Sequence, residues 1–183
     1  MTFTIVPERA DDAALITPLL DRTFGFDRTR KTVYRLREGA DPVAALCFSA
    51  VAGDGGLLGS IRYWPIAIAG TPAILLGPLA VEPALQGQGI GKALVRHSLD
   101  AAEKAGHRIC VVVGDPGYYR PFGFISASAQ GLSLPGPVEP ERFQVKALRD
   151  GALEKVYGVI GRGQAPEAEV KPARRRRVRR SVA

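Results

Sequence analysis

Three alternating glycines, Gly87, Gly89 and Gly91, stand where an apolar, strand-like run gives way to a helical pattern. The stretch reads Leu79-Ala80-Val81-Glu82-Pro83-Ala84-Leu85-Gln86-Gly87-Gln88-Gly89-Ile90-Gly91-Lys92. Without β-carbons, the main-chain N–H groups of such a turn can approach a ligand closely. The first N–H groups of the helix lack internal partners and lie at the positive end of its dipole. A diphosphate answers both conditions. Two familiar phosphate motifs fail here. The dinucleotide fingerprint needs Gly-x-Gly-x-x-Gly, which the alternating spacing does not supply. The nucleotide P-loop needs a first glycine where Gln86 stands and a hydroxyl where Ala93 stands.

The elements around this turn follow from periodicity. Phe3 to Val6 reads as a first strand, and Asp11 or Asp12 as the cap of a helix carrying Ala14, Leu15, Leu19 and Leu20. Pro18 should kink or divide that helix. A second helix is expected over Arg28 to Glu38, with Val33 and Leu36 inward and Gly39 as its left-handed stop. Val43–Val51, Leu57–Ile68 and Ala73–Val81 are apolar and β-prone, and glycine-rich turns separate them, as in an antiparallel meander. A long helix follows from about Gln88 to Ala105, with Ile90, Leu94, His97, Ala101 and Ala105 on one face. His97 is therefore expected in the core. Arg108 to Val113 is apolar throughout, which suggests burial on both faces in a central parallel pair. Gly117–Phe122 reads as a short helix, Phe124 as the start of a strand and Gly131–Pro140 as a loop. Arg142–Leu148 is expected to form an edge strand. The order defines an α/β sandwich with a mixed sheet.

The chain has 183 residues, enough for one domain with a sizeable core. Its net charge of +7 is not spread evenly. Seven of the 25 basic residues stand between Lys171 and Arg180 with no acid among them, so residues 1–170 hold 18 basic and 18 acidic side chains. A basic fold surface for nucleic acid is not indicated. Residues 163–183 read as a disordered basic tail behind a domain over 1–162. That tail is either a contact for nucleic acid or an anionic surface, or a solubilising end without a partner. Cys47 and Cys110 lie in apolar runs and read as buried free thiols of a reducing compartment. No signal peptide, membrane span or metal-ligand cluster is legible, and a cytoplasmic protein is the expectation.

Gln86, Gly89 and Gly91, preceded by Val81 and Pro83, resemble the coenzyme A signature of the GNAT superfamily of N-acetyltransferases. A second block, Gly114-Asp115-Pro116-Gly117-Tyr118-Tyr119-Arg120-Pro121-Phe122-Gly123-Phe124, resembles that superfamily's other conserved segment. It is most similar to a subgroup of predicted bacterial acetyltransferases with a Gly-Asp-Pro, Tyr-Tyr, Phe-Gly-Phe pattern. Arg9-Ala10, Asp11-Asp12 and Phe24 fit the superfamily's first helix, and the resemblance spans about residues 3–160.

The resemblance implies a mostly antiparallel sheet of six or seven strands, helices on both faces and one central parallel pair splayed for coenzyme A. It implies that main-chain groups of Gln88, Gly89, Ile90, Gly91 and Lys92 wrap the pyrophosphate, with Gln86 and Gly87 at the entry. Leu79, Ala80 and Val81 would pair with the pantetheine arm. Asp115 and Tyr119 would lie beside the cofactor. The reaction implied is acetyl transfer from acetyl-CoA to a primary amine, by direct attack, without a metal. A main-chain N–H near Val81 is the candidate oxyanion donor, and Tyr119, with Tyr118 in reserve, the candidate acid for the departing sulfur. Glu82 and Asp115 are considered as the base. The acceptor would meet Phe24, Phe26, Tyr34, Arg62, Tyr63 and Trp64. Monomer and homodimer both stay open. A non-catalytic acyl-CoA sensor and a nucleic-acid-associated protein led by its tail are the competing readings.

Overall fold

A computed structural model describes residues 2–164 of the chain. The expected basic tail, beyond Gln164, lies outside the described residues. In chain order the strands are β1 (Phe3–Pro7), β2 (Phe48–Ala52), β3 (Leu57–Ile68), β4 (Thr71–Val81), β5 (Ile109–Val113), β6 (Ile125–Ser126), β7 (Leu132–Ser133), β8 (Phe143–Ala147) and β9 (Gly158–Arg162). The helices are α1 (Ala13–Phe24), α2 (Thr32–Arg35), α3 (Ile90–Lys104) and α4 (Pro116–Tyr119).

The sheet runs β1-β2-β3-β4-β5-β8-β6, with β9 paired to the far end of β3 and to β7. Its pairs are antiparallel except β4–β5 and β7–β9. The mixed α/β architecture is as expected, but nine strands form rather than six or seven. Two of the additions, β7 and β9, come from segments whose Gly and Ser content gives no alternating pattern. β8 is not an edge: it lies between β5 and β6. Two-residue β6 is too short to announce itself in a sequence but still covers that flank.

Alternation along β4 and β5 assigns their side chains to two cores. Ile74, Leu76, Cys110 and Val112 face α3. Leu75, Ile109 and Val111 face the opposite layer with Leu36, Ala127, Leu132 and Ile160. α1 covers the outer part of that second face, packing Ile16, Leu19 and Leu20 on Ala80. Both cysteines are buried and unpaired.

The buried stripe of α3 is Ile90, Leu94, Val95, Ser98, Leu99 and Ala102. Each full-sized apolar side chain on it contributes about 1.5–3 kcal/mol by burial. His97 is not in this core: it is exposed, with its ring edge against Phe48. The sequence pattern was rotated because Ser98 counts as polar. In the fold, the Ser98 hydroxyl donates to the Val95 carbonyl (3.2 Å) and accepts from the Tyr63 hydroxyl (2.8 Å). Ser98→Ala would strand the buried Tyr63 hydroxyl, at a cost of about 1–3 kcal/mol. Urea unfolding should show a lower midpoint with an unchanged slope, and adding Tyr63→Phe should recover part of the loss.

Local chemistry explains the helix boundaries. α3 ends in a left-handed Gly106 (φ +88°), with His107 N–H donating to Ala102 O and Gly106 N–H to Glu103 O, both at 3.1 Å. α1 runs as one helix through Pro18. The Asp12 carboxylate accepts from Arg9 N–H (2.8 Å), so it serves the short turn before α1 rather than capping α1 itself. The expected second helix is broken. Residues 26–30 form a 3-10 turn, Lys31 is extended, and α2 holds four residues before the left-handed Gly39. Similarly, residues 44–46 are a 3-10 turn and β2 begins only at Phe48.

Candidate active site

Strands β4 and β5 pair over three residues only: Ile74–Cys110, Leu75–Val111 and Leu76–Val112. Gly77 and Pro78 then form a bulge, because both fit between the β3–β4 pairs Tyr63–Leu76 and Ile61–Leu79. Pro78 has no N–H with which to continue the ladder. Beyond the bulge, a cleft of ≈ 1410 Å³ opens between Leu79 and Val81 on one side and Val113 and Gly114 on the other.

The edge facing that cleft can be read from the ladder. Glu82 N–H donates to Leu58 O at 2.9 Å, and the partners next in line are Val81–Gly59 and Ala80–Ser60. Antiparallel pairs alternate between hydrogen-bonded and not. Ala80 therefore spends its main-chain groups on β3. Leu79 and Val81 turn theirs away from β3, toward the cleft. The Val81 carbonyl accepts from the Gln86 side-chain amide (3.3 Å), which ties the turn to the strand end. Of the candidate pantetheine partners, Leu79 and Val81 line the cleft and Ala80 does not.

At the end of β4 the chain passes through a 3-10 turn at residues 83–85 into the three glycines. Gly87 and Gly89 have φ of +80° and +89°, where side chains are strained. Gly89 precedes the first turn of α3, with no side-chain cap and no acid beside it. The N–H groups of Ile90, Gly91 and Lys92 have no helical partner. Gln88 differs, since its N–H donates to Leu85 O (3.4 Å) and the residue does not line the cleft. At Gly91, a β-carbon would lie 2.6 Å from the Tyr118 hydroxyl and 3.4 Å from Val81 Cγ2. Glycine is required there because a tyrosine closes over the turn.

The second block supplies the opposite wall. The Asp115 carboxylate accepts from Tyr118 N–H (2.7 Å) and so caps α4, which accounts for it without a catalytic role. Tyr119 is buried, with its ring edge-on to Phe124 and Tyr118 at centroid distances of 5.6 and 5.0 Å. Its ring lies over Gly114, where a β-carbon would stand 2.2 Å from the ring. The buried Gln144 amide on β8 donates to the Gly114 carbonyl (3.1 Å) and fixes this loop. Burial pushes the Tyr119 hydroxyl well above the ordinary tyrosine value, and Tyr118 and Cys110 add to the effect. Tyr118 is raised by burial too, with Arg96 opposing.

At the far end, α1, α2 and the loop over 134–140 wall the cleft. Thr32 Oγ1 donates to Pro137 O (2.7 Å) and latches that loop to α2. Phe24 and Tyr34 line this end. Phe26 is 82 % exposed and points elsewhere, and Trp64 stands behind the lining. Arg62 is committed to Glu8 at 2.6 and 2.8 Å, and Tyr63 to Ser98. Glu82 pairs with Arg22 (2.5 Å). The sequence singled out none of Arg28, Arg37, Glu139 and Arg142, all of which line the cleft. They sit in segments whose polar residues read as ordinary surface. Among the described residues, no helix is long and apolar enough to cross a membrane, and no three His, Cys, Asp or Glu side chains form a metal cluster.

The strand pair therefore parts beside a helix N-terminus with open main-chain N–H groups, and a buried tyrosine lines the gap of this mixed α/β fold. Residues 44–126 match the acetyltransferase (GNAT) domain family. The uncharacterized N-acetyltransferase YhbS of Escherichia coli strain K12 is 35% identical over 151 residues, covering 81% of this chain and 89% of the relative. The crystal structure of YhbS in complex with CoA has a TM-score of 0.77 and 32% identity, over 87% of this chain and 89% of that one. A GNAT acetyltransferase of Brucella melitensis, in complex with acetyl-CoA, has a TM-score of 0.66 and 32% identity, over 90% and 97% of the two chains. The chain belongs to the GNAT family of N-acetyltransferases.

Proposed function

We propose that the cleft binds acetyl-CoA and that the enzyme transfers its acetyl group to a primary amine by direct attack. The observation that carries this is the parting of β4 from β5 at Leu76, beside the uncapped start of α3. The free N–H groups of Gly87, Gly89, Ile90, Gly91 and Lys92 hold the diphosphate. Gln86 acts indirectly, by bonding the turn to Val81. The outward main-chain groups of Leu79 and Val81 take the pantetheine arm like an added strand.

The amine nitrogen attacks the thioester carbonyl, and a main-chain N–H on this edge holds the resulting oxyanion. Val81 is the donor singled out by sequence. Leu79 shares the edge two residues before it, with its main-chain groups likewise turned from β3. Collapse of the intermediate re-forms the carbonyl and breaks the C–S bond, and Tyr119 protonates the departing sulfur. Of the two carboxylates lining the cleft, Asp115 caps α4, and the exposed Glu139 is the one free to carry the amine's proton toward solvent.

An acid whose pKa is raised keeps its proton until the pH climbs through the raised value. The kcat/KM profile should therefore rise as the amine deprotonates and show no falling limb below about pH 10. Steady-state rates in overlapping buffers check this. The broader test is incubation with acetyl-CoA and a panel of amines, peptides and cell extract, read by mass spectrometry. A product heavier by one acetyl group supports the reading. Tight acetyl-CoA binding with no product from any amine would make the protein a sensor.

A further inference from the structure

We propose that Arg37 receives a carboxylate of the acceptor, so that the enzyme acetylates amines that also carry an acid group. The proposal rests on the acetyltransferase reading above and names its substrate class. Arg37 lines the cleft, and its Nη2 lies 3.4 Å from where a Gly77 β-carbon would stand. It thus reaches the bulge at which β4 leaves β5, two residues before Leu79 and on the side away from the glycine turn. Its guanidinium is fixed in plane by the Tyr34 ring, 4.5 Å from the centroid, and by the Trp64 ring at 5.9 Å. Trp64, outside the lining, acts on the cleft through this stack.

What is missing is a counterion. Among the described residues no carboxylate lies within 4.0 Å of Arg37, and its Nε is sealed from solvent without a hydrogen-bond partner. Burial lowers its pKa to about 10, with Tyr34 opposing, so the charge persists at neutral pH. A half-buried charge without a carboxylate partner carries a desolvation cost, and an incoming anion relieves it. Of the other arginines lining the cleft, Arg28 binds Asp21 and Arg30 stands 3.6 Å from Asp27, while Arg142, on the opposite wall, has no ion pair among the described residues and lacks the two-ring stack. A planar fork held between two rings suits the two oxygens of a carboxylate. The surrounding cleft agrees in sign, since six basic and two acidic side chains line it.

The test uses the full chain and pairs of probes: free amino acids, β-alanine and γ-aminobutyrate, each beside its carboxamide. Acetyl-CoA binding by the wild type is read first by calorimetry, because its absence would defeat the acetyltransferase reading itself. Acetylation rates and melting shifts of the CoA-saturated protein are then read for every pair. At least one acid should exceed its amide by about tenfold or more in kcat/KM and stabilise the complex where the amide does not. Arg37→Gln should raise KM for that acid by about tenfold or more while acetyl-CoA affinity stays within about twofold, and Arg37→Lys should recover part. Amides that match acids, a preference that survives Arg37→Gln, or an acetyl-CoA affinity that falls with it would overturn the proposal. So would the absence of any acid that both binds and reacts.

Discussion

Gly91→Ala should weaken acetyl-CoA binding by about 10- to 100-fold while the protein stays folded. The effect is steric and local. Gly91 is the second residue of α3, so alanine suits its backbone and helix propensity favours the change. The methyl group, however, would stand 2.6 Å from the Tyr118 hydroxyl and 3.4 Å from Val81. Tyr118 must swing out, carrying with it the wall that α4 forms, and the methyl enters the space where N–H donors meet the diphosphate. A loss of two such charge-assisted hydrogen bonds is about 3–6 kcal/mol in the limit, and partial adjustment brings it to about 1.4–2.7. Calorimetry gives the affinity, and circular dichroism shows whether the fold is kept. An unchanged affinity would mean that the diphosphate lies elsewhere.

Tyr119→Phe should lower kcat by about 100-fold or more and leave acetyl-CoA affinity within about twofold. The ring does the packing. It sits over Gly114, edge-on to Phe124 and Tyr118, and phenylalanine keeps all of these contacts. Only the hydroxyl is lost, and no side chain among the described residues is hydrogen-bonded to it. Its raised pKa fits a group that must stay protonated until sulfur departs. Tyr118→Phe is the control: its hydroxyl lies against Gly91 at the turn rather than near Cys110, so its loss should affect binding more than turnover. The reverse pattern would exchange the roles of the two tyrosines.

The site's main-chain half was legible in the sequence because glycine spacing reports backbone geometry directly. Gly87 and Gly89 do adopt positive φ, and Gly91 and Gly114 do make room for tyrosine rings. The parallel β4–β5 pair was legible for a similar reason, since an unbroken apolar run means burial on both faces. What failed depended on partners distant in the chain. Ser98 is buried because Tyr63, 35 residues away, supplies a hydrogen bond, and without that knowledge the stripe of α3 swings onto His97. β9 exists because β3 extends past the end of β2, whose pairing with it stops at Ile61, and so leaves an edge free at Ile66–Ile68. Arg37 reads as one more surface charge until the Tyr34 and Trp64 rings are placed around it. Phe26 and Trp64 were grouped with the acceptor site through the resemblance to the superfamily, and neither lines the cleft: Phe26 falls in the 3-10 turn that replaces the start of the second helix, and Trp64 lies on β3 behind Arg37.

The central claim is that open main-chain donors at the start of α3, with the free edge of β4, form a seat for acetyl-CoA. Titrating acetyl-CoA into the protein at near-physiological salt, followed by calorimetry, measures this directly. A single-site isotherm with a dissociation constant of about 1–100 μM, weakened by Gly91→Ala, is the result the account requires. No heat of binding from either acetyl-CoA or CoA, at protein concentrations well above that range, would contradict it.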